Sequence, residues 1–232
     1  MSQDIEIDIV PREPFREFLT TKKRWITVVA HRRAGKTVAV IQKLIYEALT
    51  HKRKGMETAP LRYFYICPTL TQAKNVSWSY LTNFTAGIPD IVVNHSELRI
   101  TFPNKASIQL LSGEGAERAR GLYADGICVD EADDVNSSHT AYIFLPCLLD
   151  YSGFLIQMGT PKGRGTLYRN IQRAKTDETR YVLTLRASQS GLVPQEDLDA
   201  IKAEIGEEAY AQEMECDFNV ARQGAIYASH LQ

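Results

Sequence analysis

Apolar positions along this chain recur with two periods. Short runs rich in β-branched and aromatic residues read as strands: Trp25 to Ala30, Arg62 to Cys67, Gly126 to Val129, Gly153 to Met158 and Tyr181 to Leu185. Between them the spacing is helical. Val38, Ile41, Leu44, Ile45 and Leu49 recur within Val38 to Leu49, and Thr71 to Phe84, Ser138 to Leu149 and Gly165 to Ala174 read as further helices. Glu196 to Ile205 and Glu207 to Glu215 form a helical pair. Ahead of the first strand, after a polar arm from Met1 to Glu13, Pro14 to Leu19 puts Phe15, Phe18 and Leu19 on one face of a short helix. One region breaks the alternation. Glu97 to Phe102 and Ala106 to Leu111 flank Pro103-Asn104-Lys105 and predict a β-hairpin, followed by a loop from Ser112 to Tyr123. Strands alternating with helices predict an α/β fold on a mostly parallel sheet.

Composition narrows the class. The chain has 232 residues, 44% hydrophobic and 24% charged, with a net charge of −1. That suits one α/β domain, or one domain with a small appendage. The basic runs Lys22-Lys23-Arg24 and His51-Lys52-Arg53-Lys54 read as solvated loop ends. Cys67, Cys128, Cys147 and Cys216 form no C-x-x-C pair and read as buried free thiols in a reducing compartment. The five histidines make no metal-ligand spacing. No apolar run approaches a membrane span, and Met1-Ser2-Gln3-Asp4 does not read as a signal peptide, so a cytoplasmic location is expected.

The chemistry begins after the first strand, at Ala30-His31-Arg32-Arg33-Ala34-Gly35-Lys36-Thr37. Strand, turn, then helix is the setting of a phosphate-binding loop. Backbone N–H groups at the helix start lack intrahelical partners, and the helix dipole adds positive charge there. Lys36 would reach the outer phosphates and the Thr37 hydroxyl would hold Mg²⁺. The usual leading glycine is replaced by Ala30. Ile127-Cys128-Val129 ends in Asp130-Glu131. A carboxylate at the C-terminal end of a buried strand faces the crevice where open α/β sheets bind ligands. Asp130 would hold Mg²⁺, and Glu131 could take the proton from an attacking water. Gly159-Thr160-Pro161 ends another strand and offers a hydroxyl that could sense the γ-phosphate. Arg32 and Arg33 flank the phosphates, one expected to point at them and the other to pair with an acid or meet a neighbouring subunit. Arg118 and Arg120 precede the acidic strand.

Together, Arg-Arg-Ala-Gly-Lys-Thr, the hydrophobic-Asp-Glu-Ala stretch, Arg120-Gly121 upstream of it and Gly159-Thr160-Pro161 resemble the ATPase domain of the large terminase subunit of tailed bacteriophages. The hairpin and Ala211 to Phe218 look similar too, so the resemblance covers about Pro14 to Phe218. It implies a P-loop NTPase of the strand-inserted (ASCE) type with a catalytic glutamate, an inserted β-hairpin and a small C-terminal lid. The expected units are a core at 1–161, a lid at 162–218 and a linker stub at 219–232 that begins near Gly224 to Tyr227. The implied activity is Mg²⁺-dependent ATP hydrolysis that drives packaging of double-stranded DNA into a procapsid. The implied partners are the portal protein, the small terminase subunit and further copies in a ring, with the host cytoplasm as location. The implied roles are Ala30 to Thr37 on ATP, Thr37 and Asp130 on the metal, Lys36 on the phosphates, Glu131 as catalytic glutamate, Thr160 in coupling and Arg120 as the finger acting on the next subunit's ATP. Two departures stand out. Phe15-Arg16-Glu17-Phe18 lacks the glutamine with which many members read adenine, and the few residues after Phe218 are too short for the family's nuclease domain, so no DNA cutting is expected.

Three other readings compete. Asp130-Glu131-Ala132-Asp133 also spells the motif of a DEAD-type helicase, which needs a second domain of similar size. A small-molecule phosphotransferase would need an acceptor pocket and no base like Glu131. A non-catalytic P-loop scaffold would bind nucleotide without turning it over.

Overall fold

The computed structural model describes residues 10–53 and 59–219. All the expected strands form: β1 (Trp25–Ala30), β2 (Arg62–Cys67), β4 (Arg99–Thr101), β5 (Ser107–Ser112), β6 (Gly126–Val129), β7 (Phe154–Gly159) and β8 (Arg180–Leu185). A further strand, β3 (Val92–Asn94), was not expected. It is three residues long with both valines exposed, which leaves no alternation to read. Residues 1–9, Lys54 of the second basic run and everything from residue 220, including the stretch read as a linker, lie outside the described residues.

The eight strands make one sheet in the order β3-β4-β5-β2-β6-β7-β1-β8. From β5 to β8 every neighbouring pair is parallel. The hairpin pairs Arg99 with Gln109 and Thr101 with Ser107, and β5 then joins β2, so the insertion widens the sheet. Topology decides where the chemistry lies. β7 is inserted between β6 and β1, with Val129 opposite Gln157 and Val29 opposite Gly159. The turns after β1, β6 and β7 therefore emerge side by side at one edge of the sheet.

Each sheet face has its own core. On one, Val40, Ile41, Leu44 and Ile45 of the helix Lys36–Thr50 pack with Phe15, Phe18, Trp78 and Leu81. On the other, Phe144, Leu148, Leu167 and Cys216 pack over Ile127 and Val129. The helices expected at 71–84 and 138–149 each carry a π-helical stretch, Ala73–Trp78 and Thr140–Phe144. The expected loop after β5 contains a 3₁₀ turn, Ala116–Ala119, anchored by its two buried alanines. The stretch 162–218 divides in two. The helix Thr166–Ala174 and β8 complete the main sheet, whereas Gln195–Ile205 and Glu207–Glu213 close a small separate core of Ala187, Leu198, Tyr210 and Met214.

Buried charge holds the opposite end of the sheet, and here a sequence expectation is corrected. Arg53 is not a solvated loop end. Its guanidinium grips both Asp125 oxygens at 2.6 Å, donates to the Ala59 carbonyl and stacks on Tyr151, with the pair's side chains 6% and 2% exposed. Asp125 also accepts the Arg62 N–H at 2.8 Å, which fixes the start of β2. Arg24, in the other basic run, likewise donates to the Gly153 and Leu148 carbonyls. Removing one partner of a buried pair strands the other, at about 3–5 kcal/mol. Asp125→Ala is expected to lower the thermal midpoint by roughly 10 °C, while Asp125→Asn, which can still accept from Arg62, should lose clearly less. Equal melting of the two variants and the parent in a thermal scan would refute a structural role for this pair.

Candidate active site

The loop after β1 is held in an unusual backbone shape. Arg33 has φ +65° and Gly35 φ +96°, and Gly35 caps the helix Lys36–Thr50. A side chain at Gly35 would be strained in this left-handed conformation. The first i→i−4 bond of the helix runs from Ala39 N to Gly35 O at 3.0 Å, so the N–H groups of Lys36, Thr37 and Val38 precede it and mark the end of the helix as an anion site. Lys36 Nζ donates to the Ala30 and His31 carbonyls at 2.8 and 3.2 Å and lies 3.5 Å from Thr160 Oγ1. Burial lowers the Lys36 pKa, while Glu131 and Asp130 pull it the other way.

The expected acids meet this lysine. Asp130 follows the fully buried β6 and accepts the Tyr65 hydroxyl at 2.7 Å and the Glu131 N–H at 2.9 Å. Burial, and next the neighbouring Glu131, raise its pKa to about 6. Glu131 has φ +45°, a strained conformation for a non-glycine residue, and its carboxylate approaches the backbone N–H of Thr160 at 3.5 Å. Gly159 permits that approach, because a Cβ there would lie 3.1 Å from Glu131 Oε2 and 3.3 Å from its Cα. Lys162 bridges the acids, 3.9 Å from Glu131 and in short contact with Asp134. The Glu131 side chain keeps 30% of its surface exposed, so water reaches it.

The other candidates divide. Arg32 turns away from the loop to Glu213, with Nε–Oε2 at 2.5 Å, and its backbone N–H donates to the Glu213 carbonyl at 3.1 Å. It is the arginine of the pair that finds an acid, and Arg33 is exposed. Arg120 is exposed and held by Glu117 of the same turn at 2.6 and 3.0 Å, outside the Lys36–Glu131 cluster. His31, expected among the residues on ATP, is buried; its Nε2 lies 3.0 Å from Ser190 Oγ and its Nδ1 2.6 Å from the Arg32 carbonyl. Burial pulls its pKa down. Four neighbours escaped the sequence reading: Tyr65, Lys162, Glu213 and Arg12. Arg12 was placed in a loose arm, yet its guanidinium donates to the Arg33 and Ala34 carbonyls at 3.3 and 3.2 Å. Tyr65 and Glu213 lie in elements the sequence predicts, but nothing in those patterns ties any of the four to the site, because each reaches it through tertiary contact. Thr37 is half-buried on the first turn of its helix, and a cation between it and Asp130 would meet a hydroxyl and a carboxylate whose charge burial disfavours.

That raised pKa has a consequence for stability. A carboxyl with a folded value near 6 against an ordinary value of 3.8 binds more protons folded than unfolded. Its contribution is therefore fully present below about pH 4 and is lost as pH rises through 6. Without nucleotide or divalent cation, Asp130→Asn is expected to stabilise the protein at pH 7.5 by about 3 kcal/mol and so to raise its thermal midpoint. The gain should shrink toward pH 4. A variant less stable than the parent at pH 7.5 would contradict the assignment.

No family model matches the chain, and no curated protein does. Solved structures do match. The ATPase domain of the Thermus phage P74-26 large terminase superposes with a TM-score of 0.69 at 15% identity, over 86% of this chain and 90% of that one. The large terminase of the thermophilic bacteriophage D6E gives 0.73 at 15% identity, over 90% of this chain and 53% of that one. The HK97 bacteriophage large terminase gives 0.65 at 12%, over 88% and 47%. The chain thus spans about half the length of the D6E and HK97 proteins. At these identities the likeness is one of architecture: the chain has the fold seen in these phage large terminase structures.

Proposed function

We propose that this chain hydrolyses ATP and couples hydrolysis to movement of double-stranded DNA into a viral procapsid. The observation that carries the reading is the meeting of Lys36, Thr160, Asp130 and Glu131 at the ends of three adjacent strands. The fold is shared with large terminases, and the D6E protein is solved with ADP and with ATP-γ-S. A Rossmann-type dinucleotide site would not need the paired acids, and a helicase would not need the large-terminase architecture.

Each residue then has a task. The N–H groups at the start of the helix Lys36–Thr50 and the residues Ala30 to Thr37 bind the phosphate chain. Lys36 exchanges its carbonyl contacts for phosphate oxygens. Thr37 and Asp130 would hold a magnesium ion, which would neutralise charge on those oxygens. Glu131 takes a proton from the water whose oxygen attacks the γ-phosphorus in line; the bond from that phosphorus to the bridging oxygen breaks, and ADP leaves. The carboxylate is fit for this because it lies 3.9 Å from Lys162, is open to water and is backed by the Thr160 N–H. No nuclease step belongs to this reading.

Coupling runs by two routes. Thr160 touches Lys36 on one side and leads into the helix Thr166–Ala174 on the other. The helical pair Gln195–Ile205 and Glu207–Glu213 serves as the lid, joined to the phosphate loop through Arg32–Glu213 and His31–Ser190. Arg120, exposed and paired with Glu117, would serve a neighbouring copy in a ring. The assembly would form on the portal vertex with the small terminase subunit, in the host cytoplasm. Among the described residues no helix is long and apolar enough to cross a membrane.

Glu131→Gln is expected to bind a fluorescent ATP analogue as the parent does and to lose roughly 10²–10⁴-fold in turnover. Undiminished phosphate release by that variant would sink the hydrolytic reading. Arg120→Ala and Glu131→Gln proteins, each weakly active, should regain activity on mixing beyond the sum of the two, because one supplies the guanidinium and the other the base. Simple additivity would place Arg120 outside any shared site.

A further inference from the structure

Charge is sharply partitioned along the last third of the chain. Lys162 to Arg186 holds seven basic side chains and two acidic ones, Asp177 and Glu178. Ala187 to Asn219 holds nine acidic side chains and one basic, Lys202. The fold keeps the two sets on different elements: the cations on the helix Thr166–Ala174, its flanks and β8, and the acids on the lid helices.

The basic set forms a surface. Arg169 and Arg173 are exposed one turn apart on the same helix face, about 6 Å along its axis. Arg164 precedes the helix and Lys175 follows it, both exposed. β8 is an edge strand, and its first residue, Arg180, joins Arg169 and Arg173 along a cleft of about 430 Å³ backed by Trp25. Arg169 also borders a cleft of about 810 Å³ shared with Lys162 and Arg164. Among the described residues, Arg164, Arg169 and Arg173 take part in no ion pair. Arg164 donates to the Asn219 amide oxygen and Arg169 to the Thr166 hydroxyl, whereas Arg180 is paired with Asp177. The acids at the inner end of the larger cleft are engaged, Asp133 with the Thr166 and Leu167 N–H groups and Asp134 with Lys162. The inner rim is rigid, since buried Asn170 bonds Gln157 of β7 at 2.7 Å.

We propose that this surface, the helix Thr166–Ala174 with β8, is where the domain holds the phosphate backbone of duplex DNA, through Arg164, Arg169, Arg173 and Arg180. The inference rests on the translocation reading above. A row of exposed guanidinium groups over open clefts suits a repeating polyanion better than a single small anion. The 6 Å step from Arg169 to Arg173 is close to two phosphate rises on one strand, about 3.4 Å each. The acidic lid repels a polyanion and leaves it only the basic side. The ridge also begins directly after Thr160, so the element that contacts Lys36 leads without interruption into the element that holds the track.

The test is anisotropy of a labelled 20-base-pair duplex at 50 to 200 mM NaCl, read alongside ATP turnover and thermal melting. Arg169→Ala/Arg173→Ala is expected to weaken binding roughly tenfold or more at 50 mM NaCl and to flatten the log–log salt slope by about two. Arg169→Lys/Arg173→Lys should restore most of both, since a backbone contact needs charge and not a fixed fork. Arg99→Ala, a single charge loss near the opposite edge of the sheet, should leave the slope unchanged. Parent-like binding by the double alanine variant at parent-like melting overturns the proposal. So does a change in sedimentation with unchanged DNA binding, which would assign the ridge to an acidic face of a second copy. A parent that hydrolyses ATP but binds no duplex overturns the ridge and leaves the nucleotide site standing. A parent that binds duplex through these residues but hydrolyses nothing overturns the enzymatic reading instead.

Discussion

Asp130 and Glu131 are consecutive carboxylates at the mouth of a strand with no exposed residue, and the site is arranged around the cost of that charge. Burial and mutual repulsion push Asp130 toward its neutral form, against the pull of the Tyr65 hydroxyl and Lys36. Lys36 is itself half-buried and is held by two carbonyls on one side and drawn to the acids on the other. Lys162 supplies a second cation at the rim. Like charges kept this close at a half-buried strand end belong to a site that binds something positive or moves a proton. A core under selection for stability alone would have no use for them.

Strain falls in the same place. Arg33, Gly35 and Glu131 all have positive φ, and two of the three carry a side chain that resists it. Tertiary contacts enforce these conformations. Arg12 clamps the carbonyls of Arg33 and Ala34, while Gly159 makes room for Glu131. The Leu185 carbonyl takes the His31 N–H, and the Glu213 carbonyl takes that of Arg32. The loop is thus pinned from the N-terminal segment, from β8 and from the helix Glu207–Glu213 at once.

The strands were legible because a covered parallel sheet demands unbroken apolar runs. Arg62–Cys67 and Gly126–Val129 can be read almost to the residue for that reason. Lys36, Asp130, Glu131 and Thr160 were legible because each sits where a strand ends, and strand ends in such sheets converge. The roles of long polar side chains were not legible. Lys43 and Glu47 lie on the buried face of the helix Lys36–Thr50, where Lys43 reaches the Leu19 and Thr21 carbonyls and lies over Phe18 and Phe154. A pattern that counts apolar positions assigns both to solvent. Arg53 and Arg12 misled for the same reason: an amphipathic stem lets a charged residue of a nominal loop find a buried carboxylate or a bare carbonyl, and only the folded chain shows which.

Insertion of β7 between β6 and β1 has a mechanical meaning beyond classification. Without it, the loop with Lys36 and the turn with Glu131 would leave neighbouring strands and act on a phosphate between them with no third party. With it, the Thr160 backbone stands between them, bonded to the carboxylate through its N–H and close to the lysine through its hydroxyl. Any rearrangement that separates these two charges must act on the end of β7. β7 packs beside the helix Thr166–Ala174, and buried Asn170 is bonded to Gln157 of the strand at 2.7 Å. The sheet order therefore does more than assemble a site: it sets the end of β7 between the lysine and the carboxylate.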